Sequence, residues 1–263
     1  GWSVDGKQIR RYFPQKLFSG VPVPIRYLYK TGVGGFVKDG FGIDDKKNFP
    51  TMPPWTHILA NSRFGTVLGE SSLGYTYAYN AQKNKITPWK NDVVSDNDGE
   101  PLRLRMGARA YDVLSGASVV YKKGRAEYRT TIGNIELKIT VFVPLYDCAK
   151  ILMVEYDNKG KADSVLVYSP HIVMGNGVSI RCTEKNLRNR ALFYTNRLNT
   201  EFRDAVTCVF GSDCNADMNG IYRVIRSGDR GQACFVLGYG LSEKAAKNIL
   251  SKYANFSYCK QQL

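Results

Sequence analysis

Apolar residues recur at every second position through much of the chain. Leu102, Leu104 and Met106 alternate with Arg103 and Arg105, and Leu137, Ile139, Val141 and Val143 alternate with Lys138, Thr140 and Phe142. A period of two sends successive side chains to opposite faces, so the pattern predicts half-buried antiparallel strands. Further strands are predicted at Ile25–Tyr29, Ile151–Tyr156, Val165–Tyr168, Val178–Cys182, Ala191–Thr195, Ala205–Phe210, Ile221–Ile225 and Gln232–Gly238. Gly133-Asn134 reads as a two-residue hairpin turn, and Asp157-Asn158-Lys159-Gly160 as another. Helical spacing is clear once, near the end. There Ala245, Ala246, Ile249, Leu250 and Tyr253 share a face, Ser242 is placed to cap, and Glu243 suits the positive end of the helix dipole. Many short strands without intervening helices predict an all-β antiparallel sandwich of two large sheets closed by a short C-terminal helix. No repeat or linker divides the sequence, so residues 1–263 are read as one domain.

One stretch stands out from this pattern. Pro53-Pro54-Trp55 leads through Ala60-Asn61-Ser62-Arg63-Phe64-Gly65 and Gly74-Tyr75-Thr76-Tyr77 to Thr87-Pro88-Trp89-Lys90-Asn91-Asp92. Two of the three tryptophans flank it. Planar rings beside amides and single charges suit a sugar, whose C–H face stacks on the ring while polar groups take the hydroxyls. The same composition also suits a tryptophan-rich core edge with polar turns.

The net charge of +14 points toward an anionic partner, but Lys and Arg are interleaved with Asp and Glu, and basic runs are pairs such as Lys46-Lys47 and Lys122-Lys123. A solvated basic surface is therefore expected, with neither nucleic acid nor membrane as partner. The six cysteines form no C-x-x-C pair and only two histidines exist, so no zinc site is expected. Cys208 and Cys234 sit within apolar runs, which predicts reduced, buried thiols and a cytoplasmic protein. No signal peptide and no membrane-spanning apolar run are read. The start at Gly1-Trp2, without Met, is read as a processed or excised piece. Asn255-Phe256-Ser257 is a glycosylation sequon.

Gly32-Val33-Gly34-Gly35-Phe36 invites a dinucleotide-binding reading, but Val37 stands where the third glycine belongs and no helix follows. These glycines are expected to serve tight turns with positive φ. Gly69-Glu70-Ser71-Ser72-Leu73-Gly74 lacks the spacing of a nucleophile elbow, and His57 and His171 read as core or surface histidines. Glu70, Asp92, Asp96, Asp98 and Glu100 are near enough in sequence to supply a carboxylate pair, although Asp92 to Glu100 reads as a solvated turn.

These motifs in this order resemble the amino-terminal domain of glycoside hydrolase family 94, the inverting β-glucoside phosphorylases. The matching segments are Gly34-Gly35-Phe36 with Asp39-Gly40, then Pro53-Pro54-Trp55 with Ala60–Gly65, Glu70–Tyr77, Asn84–Asp92 with Asp96 and Gly99-Glu100, Val141–Pro144, and Leu237-Gly238 with the capped helix. Lys85 and Tyr77 replace the family's Arg and Trp. The resemblance implies a supersandwich (galactose mutarotase-like) that precedes a linker helix and an (α/α)6 barrel, with the catalytic Asp and the phosphate-binding groups on the barrel. It therefore implies no catalytic residue in this chain, no cofactor and no metal, with inorganic phosphate as co-substrate of the parent enzyme. The implied partners are a β-linked glucoside or oligosaccharide and a catalytic barrel in cis or in trans, with the full enzyme a homodimer. In such enzymes loops of the sandwich help form the acceptor subsite. The matching loop follows Val165–Val173 at Met174-Gly175-Asn176, and its shortness is similar to the β-1,2-glucan branch. The candidate substrate-binding residues are Asn61, Arg63, Glu70, Tyr75, Trp89, Asn91, Asp92 and Asn176. The alternatives are a free-standing carbohydrate-binding module that uses the Trp55/Trp89 region and, from charge, a nucleic-acid binder.

Overall fold

The computed structural model describes residues 20–44, 54–89, 99–176 and 183–263. The strands in chain order are β1 (Val21–Pro22), β2 (Tyr29–Thr31), β3 (Gly34–Val37), β4 (Gly40–Ile43), β5 (Thr56–Ala60), β6 (Phe64–Gly69), β7 (Ser72–Ala78), β8 (Leu102–Met106), β9 (Arg109–Asp112), β10 (Ser118–Lys122), β11 (Arg125–Ile132), β12 (Ile135–Phe142), β13 (Ala149–Asn158), β14 (Ser164–Tyr168), β15 (Glu184–Arg188), β16 (Ala191–Thr195), β17 (Val206–Ser212), β18 (Asn215–Asp217), β19 (Gly220–Ile225) and β20 (Arg230–Gly240). Helices α1 (Glu243–Tyr253) and α2 (Phe256–Gln261) follow.

Among the described residues the strands form one 12-stranded sheet, ordered β15-β16-β17-β20-β13-β12-β11-β10-β4-β3-β2 with β1 paired to β11. Two smaller sheets, β18-β19-β14-β8-β9 and β5-β6-β7, cover its inner face. Contacts through the layer fix this arrangement. The Tyr168 ring on β14 meets Phe235 on β20 at 5.9 Å, and the Tyr128 hydroxyl on β11 donates to the Gly69 carbonyl at the end of β6 at 2.8 Å. Leu102, Leu104, Leu137, Ile139 and Val141 are buried, as the alternation predicts.

Four expectations are corrected. Residues 25–27 are not a strand; they cross the outer face of β3 and β4, where a Cβ on Gly35 would meet the Tyr27 ring at 2.7 Å and one on Gly42 would meet Ile25 at 3.0 Å. The glycines of β3 and β4 are therefore thin strand positions, outside the positive-φ region. The turn after β13 is not a hairpin turn, because β14 joins the five-stranded sheet and the chain crosses between layers. Gly133 does turn a hairpin, with φ of +58°. The end of β12 is buried on both faces, since Phe142, Ile151, Val236 and Phe210 are register partners across four strands of the outer face. The predicted strand at Val178–Cys182 lies outside the described residues.

Beside that outer patch lies α1. Ser242 caps it by accepting from Ala245 N, and Ala246, Ile249 and Tyr253 are buried. Ile249 rests against Gly238 of β20. A second helix, α2, follows because Asn255, the sequon asparagine, accepts from Ser257 N and Tyr258 N as its cap. No described helix is long and apolar enough to cross a membrane.

Candidate functional site

One end of the sandwich gathers most of the described candidates. Asn61 occupies the turn between β5 and β6. Its Oδ1 accepts from the amides of Arg63 and Phe64, both at 2.9 Å. Its Nδ2 donates to the carbonyls of Pro144 at 2.8 Å and Asp147 at 2.9 Å. All four bonds of this amide are internal, so Asn61 clips the turn to the β12–β13 connection. The exposed Arg63 donates from Nη2 to the Tyr146 carbonyl at 2.5 Å. Its own carbonyl accepts from Tyr79 N at 2.6 Å. Tyr79 has φ of +61°, a conformation that a bulky residue adopts only when its surroundings impose it. Burial is the main cause that raises its phenol pKa. Leu145 and Tyr146 project beside it, 69% and 77% exposed.

From Tyr79 the chain runs through a lattice of asparagines. Asn80 Oδ1 accepts from the amides of Gln82 and Lys83. Asn84 donates to the Tyr239 hydroxyl at 2.8 Å and accepts from Asn199. Asn196 and Asn199 hold the carbonyls of Val173 and Met174. Lys85 exchanges backbone hydrogen bonds with Gly175, at 3.0 and 2.8 Å, and its Nζ donates to the Trp89 carbonyl at 3.1 Å. Trp89 lies flat on the buried Tyr75, with ring centroids 4.4 Å apart and planes 15° apart. The exposed Asn176 follows Gly175 directly. Segment 79–89 thus links Asn61 and Arg63 on one side to Tyr75, Trp89 and Asn176 on the other. Asn91 and Asp92 lie outside the described residues.

Glu70 does not join them. It sits in the β6–β7 turn, at the opposite end of β6 from Asn61, is 1% exposed, and donates its amide to the Trp55 carbonyl at 3.1 Å. The nearby Tyr121 hydroxyl is pushed up by burial first, then by Tyr128 and Glu70. Trp55 stacks on Phe41 at 5.0 Å and 19°, so the two tryptophans have separate partners.

Glu100 overturns the expectation of a solvated turn at its position. It is wholly buried and pairs with the wholly buried Lys150 at 2.7 Å. Thr76, Thr87 and Tyr168 donate to its carboxylate at 2.5, 2.9 and 3.0 Å. Lys150 Nζ also donates to Thr66 Oγ1 at 2.9 Å and to the Leu73 carbonyl at 2.6 Å. A buried pair needs this saturation of its remaining donors and acceptors. Lys150 escaped the sequence reading. The available signal was one lysine in the apolar run Ala149-Lys150-Ile151-Leu152.

The described cysteines and histidines are enclosed by the fold. Cys148, Cys208, Cys214, Cys234 and Cys259 are buried and free of disulfides, and burial pushes Cys208 and Cys214 up to about 12. His57 stacks on Tyr121 and its Nε2 lies 3.0 Å from the Lys122 carbonyl. Burial lowers the pKa of both His57 and His171. Among the described residues no group of three or more His, Cys, Asp and Glu is arranged to hold a metal.

Comparison with known proteins bears on the family and the fold. Residues 41–218 match the family described as glycosyl hydrolase 94, supersandwich domain. The chain is 30% identical over 88 residues to the cyclic beta-(1,2)-glucan synthase NdvB of Rhizobium meliloti, covering 33% of this chain and 3% of that protein. It is 26% identical over 145 residues to the N,N'-diacetylchitobiose phosphorylase of Vibrio furnissii, covering 46% and 17%. The chain thus spans a small part of the length of these relatives. In fold it is similar to a structure described as a kojibiose phosphorylase from the human microbiome, with TM-score 0.54 and 9% identity over 92% of this chain and 38% of that one. It is also similar to a bacterial glucoamylase complexed with acarbose, with TM-score 0.51 and 12% identity over 85% and 39%.

Proposed function

Because this chain belongs to the glycosyl hydrolase 94 supersandwich family, we propose that it is the non-catalytic sandwich of a β-glucoside phosphorylase-like enzyme. Its loop end around Tyr79–Trp89 docks a catalytic barrel, in cis or in trans, and shapes the acceptor-side sugar subsite. In the parent reaction inorganic phosphate attacks the anomeric carbon of a β-glucoside with inversion. A barrel Asp protonates the departing oxygen, and an α-sugar 1-phosphate is released. No cofactor takes part.

One observation carries this reading. The loop end combines a rigid, internally saturated base with outward groups: Arg63 held by the Tyr146 carbonyl, exposed Leu145 and Tyr146, and Asn176 beside the Trp89–Tyr75 stack. Rigid clips beneath exposed apolar groups suit a docking surface, because little side-chain entropy remains to be lost on contact. The carboxylates of Glu70 and Glu100 are buried, so neither faces a substrate.

The test joins this chain to a family-94 catalytic barrel and assays release of sugar 1-phosphate from β-linked glucosides and phosphate. Activity is expected only with the barrel present. Arg63→Ala and Asn176→Ala are expected to raise KM for the acceptor sugar in the synthetic direction about tenfold, the scale of one polar contact. Turnover by the purified chain alone, or variants without effect on KM, would overturn the reading.

A further inference from the structure

Among the described residues the large sheet extends past its cover at one edge. Tyr29 on β2, Phe36 on β3 and Phe41 on β4 are register partners, and Phe41 pairs with Tyr121 on β10. Directly paired residues share a face, so the four rings form one row on the inner face. Cover thins along it. Tyr121 lies under His57, Phe41 lies under Trp55, and Phe36, edge-on to Phe41 at 5.4 Å, is 54% exposed. Tyr29 is 67% exposed and Trp55 47%. Gly34 makes room for this, since a Cβ there would meet the Phe41 ring at 2.9 Å.

We propose that Tyr29, Phe36 and Trp55 form an auxiliary platform for a linear, uncharged β-glucan chain, separate from the loop end. Three observations favour this occupant. Tyr29 and Phe36 stand on neighbouring strands, about 4.8 Å apart, close to the length of one sugar ring, and Trp55, just before β5, covers Phe41 of the next strand, so consecutive residues of a glycan meet one ring after another. The paired strand positions of this face carry no charge: the basic residues of β2 and β10, Lys30 and Lys122, point to the opposite side, where Lys30 lies over Tyr27 and Lys122 pairs with Glu127. Finally, among the described residues β2 and β5 are each the last strand of their sheet. Their outer edges offer alternating amides and carbonyls to hydroxyl groups that both donate and accept. The choice of a glycan rests on the family reading above. The site does not depend on barrel docking, and the two are read by different assays.

The experiment titrates the intact chain calorimetrically with linear β-(1,2)-glucan oligosaccharides, using a β-linked glucan of another linkage as a second probe. Saturable binding is expected, weakened about tenfold by Trp55→Ala, a loss of about 1.4 kcal/mol. Phe36→Ala is expected to weaken it as well, and Trp55→Phe to retain most of it. Leu187→Ser, on β15 at the opposite edge of the same sheet, should bind as the parent does. Circular dichroism confirms that each variant is folded. No binding at millimolar glucan, binding indifferent to both ring deletions, or Trp55-dependent self-association in sedimentation without glucan binding would each overturn the proposal. Failure here with loop-end variants still altering acceptor KM would leave the docking reading standing.

Discussion

Trp55 and Trp89 each stack on one aromatic neighbour, at 5.0 Å and 19° on Phe41 and at 4.4 Å and 15° on Tyr75. The pairs look alike and differ in what surrounds them. Tyr75 is buried on β7, and Lys85 clamps the Trp89 carbonyl above a base pinned by Glu100. Trp55 is half in solvent at the lip of the sheet edge. Stacking geometry alone therefore does not tell the two rings apart; the burial of the stacking partner and the clamp on the backbone do.

The sharpest way to break the comparison is to remove the floor under Trp89. Glu100→Ala leaves Lys150 charged and buried, and is expected to cost about 3–5 kcal/mol in urea unfolding. Replacing both partners by apolar residues should cost less. Equal loss from the single and double variants would show that the pair contributes nothing beyond volume.

Next come the rings themselves. Trp89→Ala should cost about 2–3 kcal/mol, part of the penalty for deleting a fully buried aromatic. Trp55→Ala should cost only about 1 kcal/mol. Thermal or urea melts that rank them the other way would reverse the assignment of roles. Asn61→Ala, which strips four hydrogen bonds from the loop end, is expected to cost about 1–2 kcal/mol. Asn61→Asp should recover the two bonds accepted from Arg63 and Phe64 but not those to Pro144 and Asp147.

The smallest effect is on pH. One lowered histidine lies in each region: His57 under the Trp55 lip, and His171, whose amide donates to the Gly99 carbonyl, beside the Trp89 base. Burial depresses both folded pKa values below the ordinary 6.5. The unfolded chain thus takes up protons first as pH falls. Stability should decline below pH 6.5 until the folded values are reached, then level off. His57→Gln and His171→Gln should each flatten part of the slope in melts between about pH 7.5 and 5. Glu127 acts in a lower window. Burial pushes it up, but hydrogen bonds from Lys122 and Arg125 outweigh this and hold it below 4.5. Its stabilisation is lost as pH falls through its folded value.

The strands were readable because alternation is local: Leu102, Leu104 and their exposed arginines need no knowledge of the rest of the chain. Sheet membership is not local. Nothing in Asp157–Gly160 tells whether the next strand returns beside β13 or crosses to the other layer. The glycines of β3 and β4 suggested turns because glycine signals both φ freedom and close approach, and only the facing rings decide between them. At the candidate site, the motif positions Asn61, Arg63, Tyr75 and Trp89 were legible, while Glu70 fell at the far end of a strand that the sequence draws as a short step. Leu145 and Tyr146 escaped notice because exposed apolar residues in a loop carry no periodic signature.

The Lys150–Glu100 pair has a consequence for how the molecule comes apart. Lys150 belongs to the large sheet, Thr66 and Thr76 to the three-stranded sheet, and Tyr168 to the five-stranded sheet, and all of them meet at one carboxylate and one ammonium. Parting the large sheet from the five-stranded sheet separates the two charges, and lifting the three-stranded sheet strips hydroxyl and carbonyl partners from both, so each partial opening carries a penalty. The three sheets should then share one cooperative transition, with the slowest amide exchange at Thr66, Thr76, Lys150 and Tyr168 rising and falling together.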